Sequence, residues 1–367
     1  MTTRAILCII YNVMLIQHKR NIIRRAEAFI LPVGKEYVMT KMMKKMVALG
    51  LTLMMAVPAG AVYAGETEAA GDAELSLAYQ YGLGYAAVTI AQQEGLIEKA
   101  YKEATGADLT ITWNQMSSGA DINTAIASGD LDAGFMGVAP AISGISKELG
   151  YKIFTNLCGQ EHGMMTADES IQSFDDLIGS DNQIALVNIG SIQHIMLAMA
   201  LDAQGYDAHA LDSNIVAMKH PDGMAALLSG TVAVHLTSSP YIFQEQADET
   251  LHAVGDIDKS YSKDTTFLVG IASETIYEEN PALYNALVQG IEEGTAYLNE
   301  SLEDAAAITS EFDGNSVEDE IEYLKKGSYS VETTGVEEIA QFMYANKFID
   351  IDPGTYENLV FENVQGN

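Results

Sequence analysis

Short apolar runs alternate with helix-length segments twice along the chain, and this rhythm limits the possible folds more than any other feature. The predicted strands are 75–80, 109–113, 133–136, 151–157, 184–187, 214–218, 232–236 and 266–271. The helices predicted between them are 85–94, 122–127, 140–149, 192–203 and 221–228. Strands that alternate with helices are typical of parallel α/β sheets.

A short internal similarity divides this rhythm into two units. Residues 125–133 read AIASGDLDA and residues 226–234 read ALLSGTVAV, and in each a helix ends at Ser-Gly before a short strand. The pattern predicts two similar α/β lobes and not a solenoid. Beyond 271 the sequence is mostly helical, with one apolar face in each of two segments. These faces comprise Leu287, Ile291, Gly294 and Leu298, and then Val336, Ile339, Ala340 and Met343.

Three loops place small residues just before a predicted helix and just after a predicted strand. They read SSGAD at 117–121, MGVAP at 136–140 and GSIQH at 190–194. Free backbone N–H groups at a helix start attract anionic or polar groups. Ordinary serine N-capping explains any one loop, but three such loops at carboxyl ends of strands exceed what capping requires. Ligands of open α/β sheets bind at this edge.

The loop YGLGYAA after the first strand is a partial dinucleotide fingerprint, with Gly82, Gly84 and Ala87 at its spacing. The complete fingerprint also needs an acidic residue at the end of the second strand, to bind the ribose. That strand ends in Trp113-Asn114-Gln115, without a carboxylate. We therefore interpret the glycines as a loop that lets the backbone approach a ligand.

The sequence lacks the patterns of common catalytic and metal sites. It has no Gly-x-Ser-x-Gly elbow and no phosphate loop ending in Gly-Lys-Ser/Thr. Its histidines after residue 64 have no metal-ligand spacing with another His or Cys, so we predict no metal, no cofactor and no enzyme activity. They are His162, His194, His209, His220, His235 and His252. His194 could equally face a cleft or be an ordinary, partly buried histidine, and His235 is interpreted as core or rim.

Charge is distributed very unevenly. All four arginines lie in the first 25 residues, and from Gly65 onward ten lysines stand against 49 aspartates and glutamates, a formal charge of −39. Such a chain could not neutralise a phosphate backbone, which excludes nucleic acid as a partner. The acidity favours solubility and repels anionic membranes, but it does not identify a ligand.

Residues 39–64 resemble a secretory signal peptide. Three lysines precede the short apolar run 46–57, and Val62-Tyr63-Ala64 places small residues at the usual −3 and −1 positions, so cleavage is expected before Gly65. The apolar run is too short to span a membrane. Residues 1–38 are predicted to be a spurious extension ahead of the true start at Met39, and 65–73 a linker.

Cysteine usage indicates a soluble exported protein. After cleavage only Cys158 remains, which cannot pair internally and is interpreted as a small buried hydrophobe. No cysteine stands just after the apolar run, so no lipid anchor is expected. We predict a periplasmic, extracellular or cell-envelope location.

At these residues the sequence resembles the nitrate/sulfonate/taurine-type substrate-binding proteins of ABC importers, over about 74–348. The family's motifs are matched by Tyr79-Gln80, Ser118-Gly119, Gly137–Pro140, Gly190-Ser191 and Ser239-Pro240-Tyr241. The resemblance implies a type II periplasmic-binding fold, in which two α/β lobes are joined by two crossing strands and the ligand lies in the cleft between them. Lobe 1 would comprise 74–160 and 262–367, lobe 2 would comprise 161–261, and the crossings would lie near 156–165 and 255–267.

Two departures from the family pattern bear on the ligand. Ala233 replaces an aspartate of the second lobe, and the chain after residue 25 has no arginine, the residue best suited to bidentate binding of a carboxylate or sulfonate. An anion would have to be bound by backbone N–H groups, hydroxyls, amides or a lysine. A neutral, zwitterionic or heteroaromatic ligand, such as a pyrimidine precursor of thiamine, is equally compatible.

The resemblance implies a monomeric solute receptor that closes on its ligand and docks on an ABC permease with its ATPase. A pyrimidine-precursor synthase on the same fold and a sensory ligand-binding domain are the alternatives; such synthases carry a cysteine-rich motif, which this chain lacks. The predicted ligand-binding residues are Gln80, Tyr81, Gly82, Ser117, Ser118, Gly137, Val138, Gly190, Ser191, His194, Thr237 and Ser238.

Overall fold

Two five-stranded sheets organise residues 71–367, the part of the chain that the computed structural model describes. The predicted extension 1–38, the signal peptide 39–64 and most of the linker 65–73 lie outside the described residues. Strands and helices are numbered below in chain order.

The first sheet has the strand order β2-β1-β3-β10-β4. Its strands are β1 (Ala73–Tyr79), β2 (Leu109–Gln115), β3 (Ala133–Gly137), β4 (Tyr151–Cys158) and β10 (Leu268–Ser273). β1 pairs in parallel with β2 and β3, whereas β10 runs antiparallel to both β3 and β4. The sheet is therefore mixed, with a parallel half that agrees with the predicted βαβ rhythm.

The second sheet repeats this arrangement in the order β7-β6-β8-β5-β9. Its strands are β5 (His162–Thr166), β6 (Ile184–Leu186), β7 (Ile215–Ala217), β8 (Val234–Ser238) and β9 (His252–Val254). β6 is parallel to β7 and β8, and β5 is inserted antiparallel between β8 and β9. The two α/β lobes predicted from the internal similarity are confirmed. We use lobe 1 and lobe 2 for the first and second sheets with their packed helices.

Helices follow the strands in the predicted order. After the strands of lobe 1 come α1 (Ala86–Glu94), α2 (Leu96–Thr105), α3 (Gly119–Ser128) and α4 (Val138–Ser146). Those of lobe 2 are α5 (Ile192–Ala203), α6 (His220–Leu228), α7 (Tyr241–Gln246) and α8 (Ile257–Ser260). The C-terminal helices are α9 (Glu274–Glu279), α10 (Pro281–Glu300), α11 (Leu302–Asp313), α12 (Val317–Leu324), α13 (Val336–Ala345) and α14 (Tyr356–Leu359).

The C-terminal helices return to lobe 1, as predicted, and α10 packs closely on its first two helices. A Cβ atom on Gly294 would lie 2.5 Å from the Ala87 carbonyl oxygen, and one on Gly290 would lie 2.8 Å from the Ile97 nitrogen. Any side chain at either glycine would push α10 away from α1 and α2. The apolar faces predicted for α10 and α13 are buried.

The chain crosses between the lobes twice, between Cys158 and His162 and between Val254 and Leu268. Both crossings fall inside the predicted ranges. They are bonded to each other, because the Phe267 N–H donates to the Cys158 carbonyl oxygen at 2.9 Å. Cys158 itself is fully buried and unpaired, and burial raises the pKa of its thiol, in agreement with its prediction as a small hydrophobe.

The lobes also touch on two flanks of the gap between them. On one flank, the Gln244 Nε2 donates to Asn315 Oδ1 at 2.9 Å and Phe243 stacks on Tyr323 with ring centroids 5.3 Å apart. On the other, His209 Nε2 lies 2.7 Å from the Asn346 carbonyl oxygen and its ring lies 4.3 Å from that of Phe348. The described arrangement is therefore one in which the lobes are closed on each other.

Five elements were not predicted from the sequence, namely β5, β9, α2, α7 and α8. Within residues 71–367, no helix combines the length and apolarity needed to cross a membrane. The same residues contain no cluster of three or more His, Cys, Asp or Glu side chains suited to a metal ion.

Candidate ligand-binding cleft

A cavity of about 30 Å³ lies between the two sheets, beside the crossing segments. Lobe 1 lines it with Gln80, Tyr81, Gly82, Gly84, Tyr85, Gly119, Gly137 and Pro140. Lobe 2 lines it with Val187, Ser191, Ile192, Gln193, His220, Ser238 and Ser239, and the crossing regions add Gln160, Phe267 and Leu268. A volume of this size admits roughly two waters, so a larger solute requires the lobes or the lining side chains to move apart.

The loop after β1 brings lobe 1 backbone against lobe 2. Gly82 has a φ of 117°, a conformation that disfavours residues with a side chain, and a Cβ atom there would lie 3.3 Å from the Ser239 carbonyl oxygen. The preceding Gln80 is fixed by its Nε2, which donates to the Tyr85 hydroxyl at 3.0 Å. The glycine loop interpreted as a close-approach element thus faces the cavity.

Helix starts from both lobes reach the same cavity. Gly137 ends β3 and precedes α4, and a Cβ atom on it would lie 2.7 Å from Ile192 Cγ2 at the start of α5. Within lobe 1, a Cβ atom on Gly119 would lie 2.6 Å from Pro140 Cγ. Both glycines therefore permit packing that a methyl group would prevent, and Gly137 permits it across the cleft.

Two buried polar atoms at the cavity have no hydrogen-bond partner in the protein. They are Gln160 Oε1, on the first crossing, and Ser239 Oγ, after β8. Both residues are only 3% exposed. A buried polar atom without a partner costs about 1–3 kcal/mol, and a ligand that supplies the missing bond offsets that cost. These atoms are suited to face a polar ligand.

The floor of lobe 2 contains a chain of buried titratable groups. His220 Nε2 lies 3.0 Å from Gln193 Nε2 and 3.2 Å from Ser238 Oγ, all three at the cavity. Behind it, His220 Nδ1 lies 3.3 Å from His235 Nε2, and His235 Nδ1 lies 2.6 Å from Glu245 Oε1. The contacts that link these three side chains were not predicted from the sequence.

Burial keeps this chain electrically neutral. It lowers the pKa of His235 to about 3, and together with the neighbouring His235 it lowers the pKa of His220 to about 3. Burial also raises the pKa of Glu245 to about 8. These directions favour uncharged imidazoles and a protonated carboxyl group at neutral pH.

Six of the twelve predicted site residues line the cavity, namely Gln80, Tyr81, Gly82, Gly137, Ser191 and Ser238. The other six do not, namely Ser117, Ser118, Val138, Gly190, His194 and Thr237.

His194 does not line the cavity. Its Nδ1 accepts from the Gly190 N–H at 3.0 Å, and its Nε2 lies 2.9 Å from Asp212 Oδ1. Its ring packs edge-on against Phe348 at 5.2 Å, so it faces the flank and not the cavity. Of the two equal readings of this residue, the ordinary buried histidine is the one that the structure supports.

Local contacts explain why the other predicted residues do not line the cavity. Ser118 is the N-cap of α3, where its Oγ accepts from the Asp121 N–H and also donates to the Asp121 carboxylate. The Val138 N–H is occupied by the Phe267 carbonyl oxygen at 2.9 Å. Thr237 is fully buried and neighbours Ser238 on β8, where successive side chains point to opposite faces. Ser117 is exposed and Gly190 partly exposed, outside the cavity lining.

The most informative missed residues are Gln160, Gln193, His220 and Ser239. A signal for His220 was present, because it opens α6 directly after β7, the same strand-to-helix junction that singled out the other loops. Gln193 lies inside the GSIQH motif, one residue before the histidine that was chosen instead. Gln160 and Ser239 had no signal of that kind, because only the tertiary fold leaves their polar atoms unpaired.

Positive charge at the cleft comes from a lysine. The Lys219 ammonium lies 5.4 Å from the centroid of the Tyr81 ring and 3.7 Å from Asp222 Oδ2. This lysine of lobe 2 therefore contacts Tyr81 of lobe 1 at the entrance of the cleft.

The model of the NMT1-like family matches residues 68–311, while no curated protein matches the chain. Solved structures with a similar fold include the alkanesulfonate-binding protein SsuA from Xanthomonas axonopodis pv. citri bound to MOPS (TM-score 0.64, 16% identity, 82% of this chain and 100% of that one). The periplasmic aliphatic sulphonate binding protein SsuA from Escherichia coli gives 0.61 at 20% identity, with coverage of 80% and 93%. The periplasmic nitrate-binding protein NrtA from Synechocystis PCC 6803 gives 0.55 at 15% identity, with coverage of 69% and 70%. At these identities the likeness shows the fold.

Proposed function

This chain belongs to the NMT1-like family and has the fold of the substrate-binding proteins of ABC importers, and from that premise we propose that it captures a small polar solute and delivers it to a permease. The family resemblance and the two-lobed fold predicted from the sequence are thereby confirmed. The solute, the permease with its ATPase, and the monomeric state belong to the proposal.

One observation carries the proposal. Polar groups from both lobes and from a crossing segment converge on one enclosed cavity, and two of them, Gln160 Oε1 and Ser239 Oγ, are buried without a partner. Most buried polar atoms in native proteins are paired, so these two are suited to a hydrogen bond that the protein itself does not supply. A cleft that closes around a polar solute pairs them only when the solute is present.

Capture proceeds by closure of the lobes about the two crossings. The hinge segments are 159–161 and 255–267, and we keep 74–160 with 262–367 as lobe 1 and 161–261 as lobe 2. Opening breaks the flank contacts of Gln244 with Asn315 and of His209 with Asn346, and it separates Gly137 from Ile192. A solute that contacts both lobes favours the closed state by its differential affinity.

The lining favours a solute with several hydrogen-bonding atoms and little bulk. Its polar groups are amides, hydroxyls and one imidazole, with the Lys219 ammonium at the lip. A sulfonate, taurine or nitrate would accept from these donors, and a pyrimidine could both donate and accept. Export would be directed by residues 39–64, with cleavage before Gly65, to the periplasm or cell exterior.

The first test is binding to the purified exported protein. Titration calorimetry and thermal shift with taurine, methanesulfonate, nitrate and an aminopyrimidine should show dissociation constants in the micromolar range for at least one class. Native mass spectrometry of the protein as isolated should detect the same class. Absence of any bound or titratable solute would refute capture.

Delivery is tested separately. Adding the loaded protein to its permease and ATPase in proteoliposomes should stimulate ATP hydrolysis and move labelled solute across the membrane. Solute recovered chemically altered would instead favour an enzyme on this fold.

A further inference from the structure

The buried chain of Glu245, His235 and His220 ends at the cavity wall. Its three titratable side chains occupy buried positions that apolar side chains could fill. Glu245 and His235 are completely buried, and His220 is 5% exposed. The chain runs inward from Gln193 and Ser238 at the cavity to a carboxyl group on α7. Because the chain ends at the cavity, the proton positions on the buried groups determine whether His220 Nε2 acts there as a donor or as an acceptor.

Hydrogen bonding determines the proton positions. Glu245 Oε2 has no partner, so an ionised carboxylate would leave a charged oxygen buried and unsatisfied. The protonated acid instead donates from Oε1 to His235 Nδ1. His235 then carries its proton on Nε2 and donates to His220 Nδ1, and His220 carries its own proton on Nε2, toward the cavity. In the free protein Gln193 accepts that proton, with its amide oriented so that Oε1 faces His220, because the two amide atoms are assigned by the network. A solute oxygen takes the place of Gln193 as the acceptor.

We propose that the Glu245–His235–His220 relay makes His220 the specificity-determining donor of lobe 2, which presents an N–H to an anionic oxygen of the solute in place of the absent arginine. The inference rests on the proposed function and names the ligand class, a small oxyanion or an anionic head group. His235 and Glu245 are positioning residues that act through His220.

Other groups around His220 complete this description. Tyr241 of α7 stacks on its ring at 5.8 Å, and His162 of β5 is close enough that His220 lowers the pKa of His162. The neighbouring Lys219 and Asp222 belong to its own segment, and Tyr81 of lobe 1, which lines the same cavity, has its ring centroid 5.4 Å from the Lys219 ammonium. Burial, together with the neighbouring His220, lowers the pKa of His162, so that ring is uncharged.

Alkaline pH should reverse the relay. Above the Glu245 pKa of about 8, the free protein loses the relay proton, and the carboxylate accepts from His235 Nδ1. His235 Nε2 then accepts from His220 Nδ1, and His220 turns a lone pair toward the cavity. The site now repels an anion, so each anion bound must bring one proton with it.

The test compares methanesulfonate with its neutral isostere methanesulfonamide on the exported protein and on Glu245→Gln. For the wild type, affinity for methanesulfonate should change by less than about threefold from pH 6 to 7.5 and fall by about tenfold per pH unit above pH 8, whereas affinity for the sulfonamide should not fall above pH 8. Calorimetry in buffers of different ionisation enthalpy should count no proton uptake at pH 6.5 and close to one at pH 9. The glutamine amide cannot titrate, so Glu245→Gln should lose the pH step for methanesulfonate.

A ligand-free measurement separates this inference from the proposed function. Nitrogen-15 NMR of the histidine rings should show His220 protonated at Nε2 and not at Nδ1 at pH 7, with the reverse above pH 8. If no solute binds but this switch is seen, the proposed function fails together with the assignment of His220 as a solute-binding donor, and only the proton relay stands. If solutes bind with the same pH dependence in wild type and Glu245→Gln, or if His220 shows no switch, the relay is refuted.

Ser238 and His220 could instead act as a nucleophile and its base, and ester hydrolysis tests this alternative. Ser238 Oγ lies 3.2 Å from His220 Nε2, the distance of a serine nucleophile from its base. Hydrolysis of p-nitrophenyl acetate that is lost in Ser238→Ala would assign His220 to catalysis and overturn its assignment as a solute-binding donor.

Discussion

The two walls of the cleft present different chemical groups to the cavity, although the two sheets have the same topology. Lobe 1 presents mainly backbone and ring faces, through Gly82, Gly119, Gly137 and Tyr81. Lobe 2 presents polar side chains, and behind them lies the buried relay that ends at Glu245.

This difference separates two requirements of a solute receptor. The glycines of lobe 1 allow the lobes to approach to within contact distance, so lobe 1 determines how far the cleft closes. The side chains of lobe 2 carry the donors and acceptors, so lobe 2 determines which solute is retained. Substitutions on the two walls should therefore fail in different ways.

The largest effect is expected from a side chain at Gly137. Its φ of −58° tolerates any residue, so a substitution acts only through the added atoms, which would meet Ile192 Cγ2 at 2.7 Å and Cβ at 3.1 Å. Overpacking costs about 1–3 kcal/mol, so Gly137→Ala should lower solute affinity roughly ten- to hundredfold, and Gly137→Val should lower it further. Calorimetry measures this loss, and small-angle scattering should show a more open protein.

A matched pair of variants tests the cause. Ile192→Ala in the Gly137→Ala background removes Cγ2 and should restore most of the affinity, while Gly71→Ala, with no atom within 4 Å of the new Cβ, should change nothing. Full affinity in Gly137→Ala would show that closure does not bring these residues together, and lobe 1 would lose its assigned part.

The next effect concerns the stability of lobe 2. Glu245→Leu leaves His235 Nδ1 buried without a partner, which should lower the free energy of unfolding by about 1–3 kcal/mol in urea titrations at pH 7. Glu245→Gln keeps an amide donor for His235 Nδ1 and should retain most of the stability. A Glu245→Gln protein as unstable as Glu245→Leu would contradict the explanation.

Gln160 links the two walls and should show opposite effects on stability and binding. Because its Oε1 is buried without a partner, Gln160→Met keeps the volume and should raise the free energy of unfolding of the free protein by about 1 kcal/mol. The same change should weaken binding of a polar solute, since one acceptor is lost. Calorimetry and urea unfolding on one preparation test both signs, and a variant that is both more stable and equally tight would remove Gln160 from the site.

The sequence predicted the lobes and the backbone part of the site because both depend on local patterns. Glycines and serines at strand-to-helix junctions, such as Gly82, Gly137 and Ser191, can be recognised from spacing alone. Whether His194 faces the cleft depended on Asp212, which is remote in sequence and positioned only by the fold.

The missed elements have a related explanation. The residues of β5, HGMMT, contain few β-branched residues, and the strand forms because it arrives from lobe 1 and fills a place between β8 and β9. His220 and Glu245 lie on separate elements, and only the packing of α7 beneath β8 brings their shared partner His235 between them. Chemistry that depends on such packing has no signature in local spacing.

The smallest expected effect lies on a flank, outside both walls. His209 Nδ1 lies 2.8 Å from Asp212 Oδ2, and its Nε2 lies 2.7 Å from the Asn346 carbonyl oxygen of lobe 1. Both partners are acceptors, so both ring nitrogens must be protonated, and the bond to Asn346 followed by that to Asp212 raises the pKa of His209. The charged form therefore favours closure at pH values below about 6.5, the ordinary histidine value, and this contribution is lost as the pH rises through the raised value.

Because the His209 ring is partly exposed, the change in solute affinity between pH 5.5 and 7.5 should be less than about threefold. His209→Gln, which cannot titrate, should abolish this change, and the alkaline step assigned to Glu245 should persist in that variant. Loss of both steps in His209→Gln would show that the flank and the lobe 2 wall are coupled, and the separation drawn between them would have to be abandoned.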